Sequence, residues 1–202
     1  MSRPGPEPLG VVLAGGAGRR FVAGAKVTAV LGGATLLDRA VAGLTAIVGE
    51  VVVCARGDTE LVPLSSGRRV AVWREPDDAP RHPLSGIAAA LRRAGEERAV
   101  LVCAVDLPFA GEGALAAVLG AAAAAAGETP IVIAAGQPLL GLYRPAVAGA
   151  LREAAGAGAS VRTTVAALGA REVPVPDPAR TLFNINSVED LRAAEALLAS
   201  GG

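Results

Sequence analysis

Short runs of consecutive apolar residues recur along the chain, and each is followed by a turn or a polar stretch. Five or more apolar or small residues in a row are typical of a strand that is buried on both faces, as in a parallel sheet. On this basis we predict strands at residues 9–13, 50–55, 69–73, 98–105, 130–134, 139–143 and 171–175. The run at 98–105 is the strongest of them.

Between these runs, apolar residues recur at every third or fourth position, which indicates helices. Thr35 is a suitable cap for the first helix, and Ser187 with Asp190 three residues later forms a capping box for the last. We predict helices at residues 36–47, 84–94, 113–127, 145–155, 160–168 and after Ser187, with a short helical segment around Glu60. Because strands and helices alternate, we expect a three-layer α/β fold with a mostly parallel central sheet.

The composition supports one folded domain spanning residues 1–202, because 52% of the chain is hydrophobic and no linker divides it. Nineteen basic residues balance nineteen acidic ones, so we expect no general attraction to nucleic acid. The start of the chain lacks the apolar core of a signal peptide, and the apolar run 114–126 is too short to span a membrane. We therefore expect a cytoplasmic protein, with Cys54 and Cys103 as reduced core residues.

The ligand crevice of such a sheet lies beyond the carboxyl ends of its strands. The segments at these positions are the glycine-rich stretch 14–18, then 56–58, 74–78, Asp106 and 184–186. Gly15 and Gly16 let the backbone turn tightly, and their exposed N–H groups next to Arg19 and Arg20 would suit a phosphate. An ordinary tight turn with solvated basic residues remains the alternative for this stretch.

Two charged residues have a candidate role in phosphate chemistry. Asp106 ends a central strand, and Mg²⁺ usually takes only one or two protein carboxylates together with substrate phosphates and waters. Lys26 is the only lysine among 19 basic residues, and it would neutralise a triphosphate as a point charge. An acidic turn residue and a solvated surface lysine are the respective alternatives.

The sequence lacks the motifs of several other nucleotide-binding and catalytic sites. The chain contains neither a P-loop, nor a GxGxxG fingerprint, nor a GxSxG elbow, and its one histidine, His82, stands in a proline-rich polar loop. We interpret His82 as loop structure or a substrate contact rather than a general base. What remains is phosphoryl or nucleotidyl transfer by positioning and charge neutralisation, which needs no protein nucleophile.

The segments LAGGAGRR, HPLSGI, VDLPF and FNINSVEDL, in this order and with Lys26 between the first two, resemble the molybdenum cofactor guanylyltransferase family of MobA-like nucleotidyltransferases. The resemblance runs from residue 9 to about residue 196. It implies a Rossmann-like α/β fold and Mg²⁺-dependent transfer of GMP from GTP to molybdopterin with release of pyrophosphate. Proteins that deliver molybdenum cofactor are implied as further partners.

The resemblance also implies roles for individual residues. The guanine and ribose would lie against Leu13, Ala14 and Gly15, with Glu75 near the nucleotide. Gly16 and the residues up to Arg20 would hold the phosphates together with Lys26, so that Lys26, Arg20 and Asp106 carry the catalysis. Asp106 would bind Mg²⁺, and the far side of the site would be lined by Asn184 and Asn186.

Four positions depart from the family pattern. Phe21 and Val22 replace a methionine–glycine pair, Ala25 stands where an aspartate often precedes the lysine, and His82 replaces a glycine. These departures leave two alternatives open. One is a nucleotidyltransferase with another nucleotide or acceptor, such as CTP with the same cofactor, and the other is a non-catalytic nucleotide-binding protein.

Overall fold

The protein is described by a computed structural model over residues 6–14, 26–125 and 127–200. The strands are β1 (Leu9–Leu13), β2 (Val30–Leu31), β3 (Ala34–Thr35), β4 (Val51–Ala55), β5 (Ala71–Arg74), β6 (Val100–Ala104), β7 (Ile131–Ala134), β8 (Gln137–Tyr143) and β9 (Arg171–Val173). The helices are α1 (Leu36–Thr45), α2 (Pro83–Ala94), α3 (Glu112–Ala124), α4 (Ala148–Gly156), α5 (Val161–Ala167), α6 (Pro178–Thr181) and α7 (Val188–Ala199). A 3₁₀ turn, Pro145–Val147, leads into α4.

Seven strands form one sheet in the order β5-β4-β1-β6-β8-β7-β9, and β2 pairs with β3 as a separate small hairpin. All pairs among β5, β4, β1 and β6 are parallel, as is the pair of β7 with β9. Within the described sheet only β8 runs in the opposite direction, because it is antiparallel to both β6 and β7. The prediction of a mostly parallel sheet is confirmed.

Helices cover both faces of the sheet, which makes three layers. Alternate residues of β1 point to opposite faces, so Val12 belongs to the core that includes residues of α1, α3 and α7, whereas Val11 belongs to the core that includes residues of α2, α4 and α5. Both groups consist mainly of Ala, Val, Leu and Ile. Burial of strands on both faces explains why β1, β4 and β6 appear in the sequence as continuous apolar runs.

Most predicted elements are present within one to three residues of their expected bounds. The segment around Glu60 is wrong as a helix, since residues 59–64 form neither helix nor strand. The proline-rich polar loop that follows β5 contains a buried residue, Glu75. The β2–β3 hairpin and α6 were not predicted. Both capping boxes are formed, at Thr35 with Asp38 and at Ser187 with Asp190.

Cys54 and Cys103 are free and buried, as expected. Burial raises the pKa of both thiols to about 12, so both are protonated at neutral pH. Neither thiol is a nucleophile in this form. Within the described ranges, no helix is long and apolar enough to cross a membrane.

Candidate functional site

The carboxyl ends of β1 and β6 lie side by side near the centre of one edge of the sheet. These strands are neighbours, yet the chain moves from β1 outward through β4 and β5 and returns past β1 to reach β6. Such a reversal leaves a crevice above the two strands. The Leu13 carbonyl accepts a 3.1 Å hydrogen bond from the Val105 amide, and the Ala14 amide donates to the Cys54 carbonyl at 2.8 Å. Leu13 and Ala14 are therefore buried and fixed at the floor of this crevice.

Lys26 and Asp106 form an ion pair in the crevice. The Lys26 Nζ lies 2.7 Å from Asp106 Oδ2 and 3.0 Å from Asn186 Oδ1. The lysine is only 8% exposed, so its charge depends on these two oxygen partners rather than on water. Three segments that are 80 and 160 positions apart in the chain thus meet at one ammonium group.

Two side-chain oxygens beside this ion pair lack hydrogen-bond partners among the described residues. Asp106 Oδ1 and Asn184 Oδ1 are buried and accept no hydrogen bond from the described residues. The Ile185 amide donates to the Asp106 carbonyl at 3.0 Å, which holds the 184–186 segment against the end of β6. Buried oxygens without partners are costly, so they indicate a place where a cation or a ligand donor belongs.

The donor set at this place suits Mg²⁺. Carboxylate and amide oxygens are hard ligands, and Mg²⁺ needs only one or two of them when substrate phosphates and waters complete its octahedron. In the described part of the chain, no three His, Cys, Asp or Glu side chains are grouped so that they could hold a metal ion by themselves. A metal held here would therefore depend on Asp106 and on its substrate, in the way that Mg²⁺ sites commonly do.

Glu75 is on the other side of the crevice, directly after β5. It is only 7% exposed, and Arg56, at the end of β4, is 9% exposed. The Arg56 Nη1 lies 3.9 Å from Glu75 Oε2 and donates to the Ala79 carbonyl at 3.1 Å. Burial raises the pKa of Glu75; the positive charge of Arg56 opposes this change, and the negative charge of Asp58 adds to it. Glu75 is thus a buried carboxylate that lines the crevice and has the Arg56 guanidinium beside it.

A cavity of about 120 Å³ joins these two groups. Glu75, Lys26 and Asp106 all line it, with Glu75 following β5 on one side of β1 and Asp106 following β6 on the other side. Its walls include Leu13, His82, Gly86, Ala104 and Leu139. A larger groove of about 670 Å³ lies between α2 and α4, but none of the predicted site residues line it. The smaller cavity is therefore the candidate site, because the polar groups converge there.

The predicted site residues fall into two groups. Within the described ranges, the crevice brings together Leu13, Ala14, Lys26, Glu75, Asp106, Asn184 and Asn186. Gly15, Gly16 and Arg20 lie outside the described residues, as do Phe21, Val22 and Ala25. His82 caps α2, with its Nδ1 accepting from the Leu84 amide at 3.3 Å, and it also lines the cavity. Both interpretations of His82, as loop structure and as a substrate contact, fit this position.

Three further residues in or near the crevice make contacts that the sequence did not indicate. Arg56 belongs to a strand-end segment that was noticed, yet its partnership with Glu75 has no sequence signal. Gly86 approaches both Leu13 and Glu75, since a β-carbon on it would lie 3.1 Å and 3.2 Å from their side chains. Asp190 was predicted as a helix cap, but it also binds the backbone of Asn186 at 2.8 Å.

Comparison with known proteins gives consistent matches over nearly the whole chain. Residues 10–173 match the family model described as the MobA-like NTP transferase domain. The molybdenum cofactor guanylyltransferase of Acidiphilium cryptum is 36% identical over 194 residues, which cover 92% of this chain and 93% of that protein.

Solved structures also match this chain over nearly its whole length. Molybdopterin-guanine dinucleotide biosynthesis protein A from Archaeoglobus fulgidus superposes with a TM-score of 0.77 at 25% identity, covering 95% of this chain and 99% of that one. The 2-C-methyl-D-erythritol 4-phosphate cytidylyltransferase of Thermus thermophilus has a TM-score of 0.66 at 23% identity, covering 94% and 98% respectively. This second likeness concerns the fold alone.

Proposed function

The chain belongs to the MobA-like NTP transferase domain family and is a nucleotidyltransferase, and we propose that it transfers GMP from GTP to molybdopterin with release of pyrophosphate. The observation that carries the proposal is the Asp106 carboxylate. One of its oxygens binds Lys26, the other is buried without a hydrogen-bond partner among the described residues, and both stand at the end of a cavity headed by Glu75.

The base would bind at the Glu75 end of the cavity. An ionised carboxylate accepts hydrogen bonds from the N1–H and the 2-amino group of guanine, and it repels the acceptor nitrogens of adenine and cytosine. Arg56 counteracts the effect of burial on Glu75 and so favours the charged form that this recognition needs. The buried Leu13 would form an apolar wall against the base.

The phosphates would bind at the opposite end. In the reaction, a phosphate oxygen of the acceptor forms a bond to the α-phosphorus of GTP. The bond from that phosphorus to the oxygen bridging to the β-phosphate breaks, and its electron pair leaves with pyrophosphate. Lys26 would offset the charge that develops on the phosphates, and Arg20 would do the same according to the family resemblance.

Asp106 and Asn184 would hold Mg²⁺, which when bound supplies positive charge to the phosphate oxygens. Asn186 would keep the Lys26 ammonium in place by accepting its hydrogen bond. No side chain needs to remove a proton, because a phosphate nucleophile is already ionised at neutral pH.

The proposal also includes the binding partners and the cellular location of the protein. GTP, molybdopterin and proteins that deliver molybdenum cofactor would be its partners, and the cytoplasm, where GTP is available, would be its location. The equal numbers of acidic and basic residues argue against nucleic acid as a partner.

The test is pyrophosphate release from GTP, CTP and ATP, each with Mg²⁺ and with or without molybdopterin. We expect release that requires both Mg²⁺ and molybdopterin and is fastest with GTP. Preference for CTP would replace guanylyl by cytidylyl transfer, whereas tight nucleotide binding without any product would make the protein a binding protein and not an enzyme. Chromatography of the product, to detect a guanine dinucleotide, completes the measurement.

A further inference from the structure

The segment that carries Lys26 into the crevice is attached to α7 at two separate places. It runs from Lys26, at the edge of the described residues, to the Gly32–Gly33 turn of the β2–β3 hairpin. Its first attachment is at the N-terminus of α7, and its second is about two turns further along that helix. Nothing in the proposed chemistry requires α7, so these attachments need a reason of their own.

The first attachment is a chain of hydrogen bonds. Lys26 donates to Asn186 Oδ1 at 3.0 Å, and Asp190 Oδ2 accepts from the backbone N–H of Asn186 at 2.8 Å and of Ser187 at 2.9 Å. Asn186 is exposed at the surface, and Asp190 adds to the Ile185–Asp106 hydrogen bond in holding its backbone. The hydrogen bond from the Asn186 amide lowers the pKa of Asp190, and the positive charge of Lys26 acts in the same direction.

The second attachment fixes the hairpin turn. The Gly32 amide donates to Glu195 Oε1 at 3.0 Å, and Leu198 packs so tightly on Gly32 that a β-carbon there would lie 2.2 Å from its Cδ2. Gly32 has φ +56°, a conformation that favours glycine on its own account. From the other side, Arg39 of α1 donates to the Leu31 carbonyl at 2.7 Å and 3.0 Å. These contacts hold the hairpin turn against α7 and α1.

We infer that α7 positions Lys26 for the triphosphate, and that Asp190 is a positioning residue acting through Asn186. This inference rests on the proposed role of Lys26 as a phosphate-binding group. Without its two hydrogen-bond partners the Lys26 side chain would be mobile, because a lysine side chain has four rotatable bonds and substantial rotamer entropy. Holding the ammonium on two oxygens, one of them braced by a helix, removes that freedom before GTP arrives.

The experiment measures the affinities of GTP and GMP by calorimetry for the wild type and for Asp190→Ala, Asp190→Asn and Ser187→Ala. We expect Asp190→Ala to weaken GTP about tenfold and GMP less than about twofold, because GMP lacks the phosphates that Lys26 would contact. Asp190→Asn keeps an acceptor oxygen and should fall between wild type and Asp190→Ala. Ser187→Ala removes the other half of the same capping box without touching Asn186, so it should lower thermal stability and leave the GTP to GMP ratio unchanged.

A double-mutant cycle with Lys26→Ala separates positioning from a general effect on the fold. If Asp190 acts through Lys26, adding Asp190→Ala to Lys26→Ala should not weaken GTP further. An undiminished tenfold loss in that background, or an equal loss for GMP, would refute the inference. Asp190→Asn, which retains the cap, decides the matter if Asp190→Ala does not fold: wild-type affinity for GTP in that variant would also refute it.

The same measurements distinguish failure of this inference from failure of the proposed function. A protein that binds GTP through Lys26 and Asp190 but forms no product would retain the positioning role and lose the enzymatic one. A protein that forms product with unchanged GTP affinity in both Asp190 variants would keep its function, and α7 would be a structural helix only.

Discussion

Gly86 approaches Glu75 so closely that a β-carbon on residue 86 would lie 3.2 Å from the Glu75 Oε1 and 3.1 Å from the Leu13 Cδ2. Contacts at this distance are tighter than ordinary van der Waals contact, so one of the neighbours would have to move. Both neighbours line the cavity where the base is proposed to bind. Because residue 86 of α2 has no side chain, the Glu75 carboxylate can occupy its observed position.

Gly86→Ala should therefore lower the affinity for GTP without a gain in stability. Alanine is favoured over glycine in a helix interior by up to about 1 kcal/mol, but crowding of the buried Leu13 and Glu75 costs about 1–3 kcal/mol, so the free energy of unfolding should stay level or fall. The affinity for GTP should fall about tenfold because Glu75 and Leu13 are displaced. Urea unfolding and calorimetric titration measure the two quantities.

Gly120→Ala is the matched control for this change. Gly120 is also inside a helix, α3, but it is exposed and a β-carbon there would meet nothing within 4 Å. It should gain the same helix propensity and bind GTP like the wild type. Equal GTP affinities for Gly86→Ala and Gly120→Ala would show that the base does not bind beside Glu75.

Asp106→Asn should abolish Mg²⁺-dependent turnover, with a loss of at least about 100-fold. The amide retains an oxygen for Lys26 but loses the negative charge that a divalent cation requires. Turnover is measured as pyrophosphate release over a range of Mg²⁺ concentrations, and circular dichroism checks that the fold is retained. Near-normal turnover at low Mg²⁺ would contradict the assignment of Asp106 as the metal ligand.

Lys26→Ala should weaken triphosphates more than monophosphates. The variant removes the one buried ammonium of the crevice, so GTP should lose about tenfold or more in affinity and GMP much less. Arg92→Ala, in the groove between α2 and α4, removes a charge at a distance from the crevice and should change neither. If GTP and GMP lose affinity equally, Lys26 does not contact the β- and γ-phosphates.

Asp38 gives a prediction about pH. Burial raises the pKa of its carboxyl, but hydrogen bonds from Thr35 and Ser65 outweigh this effect and hold the pKa below the ordinary 3.8. Because the pKa is lower in the folded state, the carboxylate stabilises the fold above pH 3.8, and this contribution is lost as the pH falls through the folded-state pKa.

Asp38→Asn should consequently lower the free energy of unfolding at neutral pH by about 1 kcal/mol, as loss of a helix cap does. The difference between wild type and variant should shrink as the pH falls below 3.8. Urea unfolding at a series of pH values measures it. A difference that grows towards acid pH would mean that the hydrogen bonds to Asp38 do not favour its charged form.

Local patterns in the sequence were sufficient for most elements of the fold. β1, β4 and β6 are buried on both faces, so each appears as an unbroken apolar run. The hairpin of β2 and β3 could not be predicted in this way, because two residues per strand show no periodicity and its place depends on α7. The short helix predicted around Glu60 does not form, and Pro63 would interrupt a helix in this segment.

The candidate site was only partly accessible to the same reasoning. The rule that ligands bind beyond strand ends led to Asp106 and to the segment containing Glu75, since both follow a strand directly. The contacts that these residues make in the site join positions that are far apart in the chain. Asn186 is 160 positions from Lys26, and no spacing in the sequence indicates that the two would meet.

The meeting of Lys26, Asp106 and Asn186 has a consequence for how the protein is made. Synthesis proceeds from the N-terminus, so β1, β4 and β6 can associate while the last helix is still inside the ribosome. Such a nascent chain would carry Asp106 and Lys26, but not the amide that completes their contact. Lys26 would be fixed on both of its oxygen partners only once Asn186 has emerged, so we expect a nascent chain that lacks residues 184–186 to bind GTP more weakly.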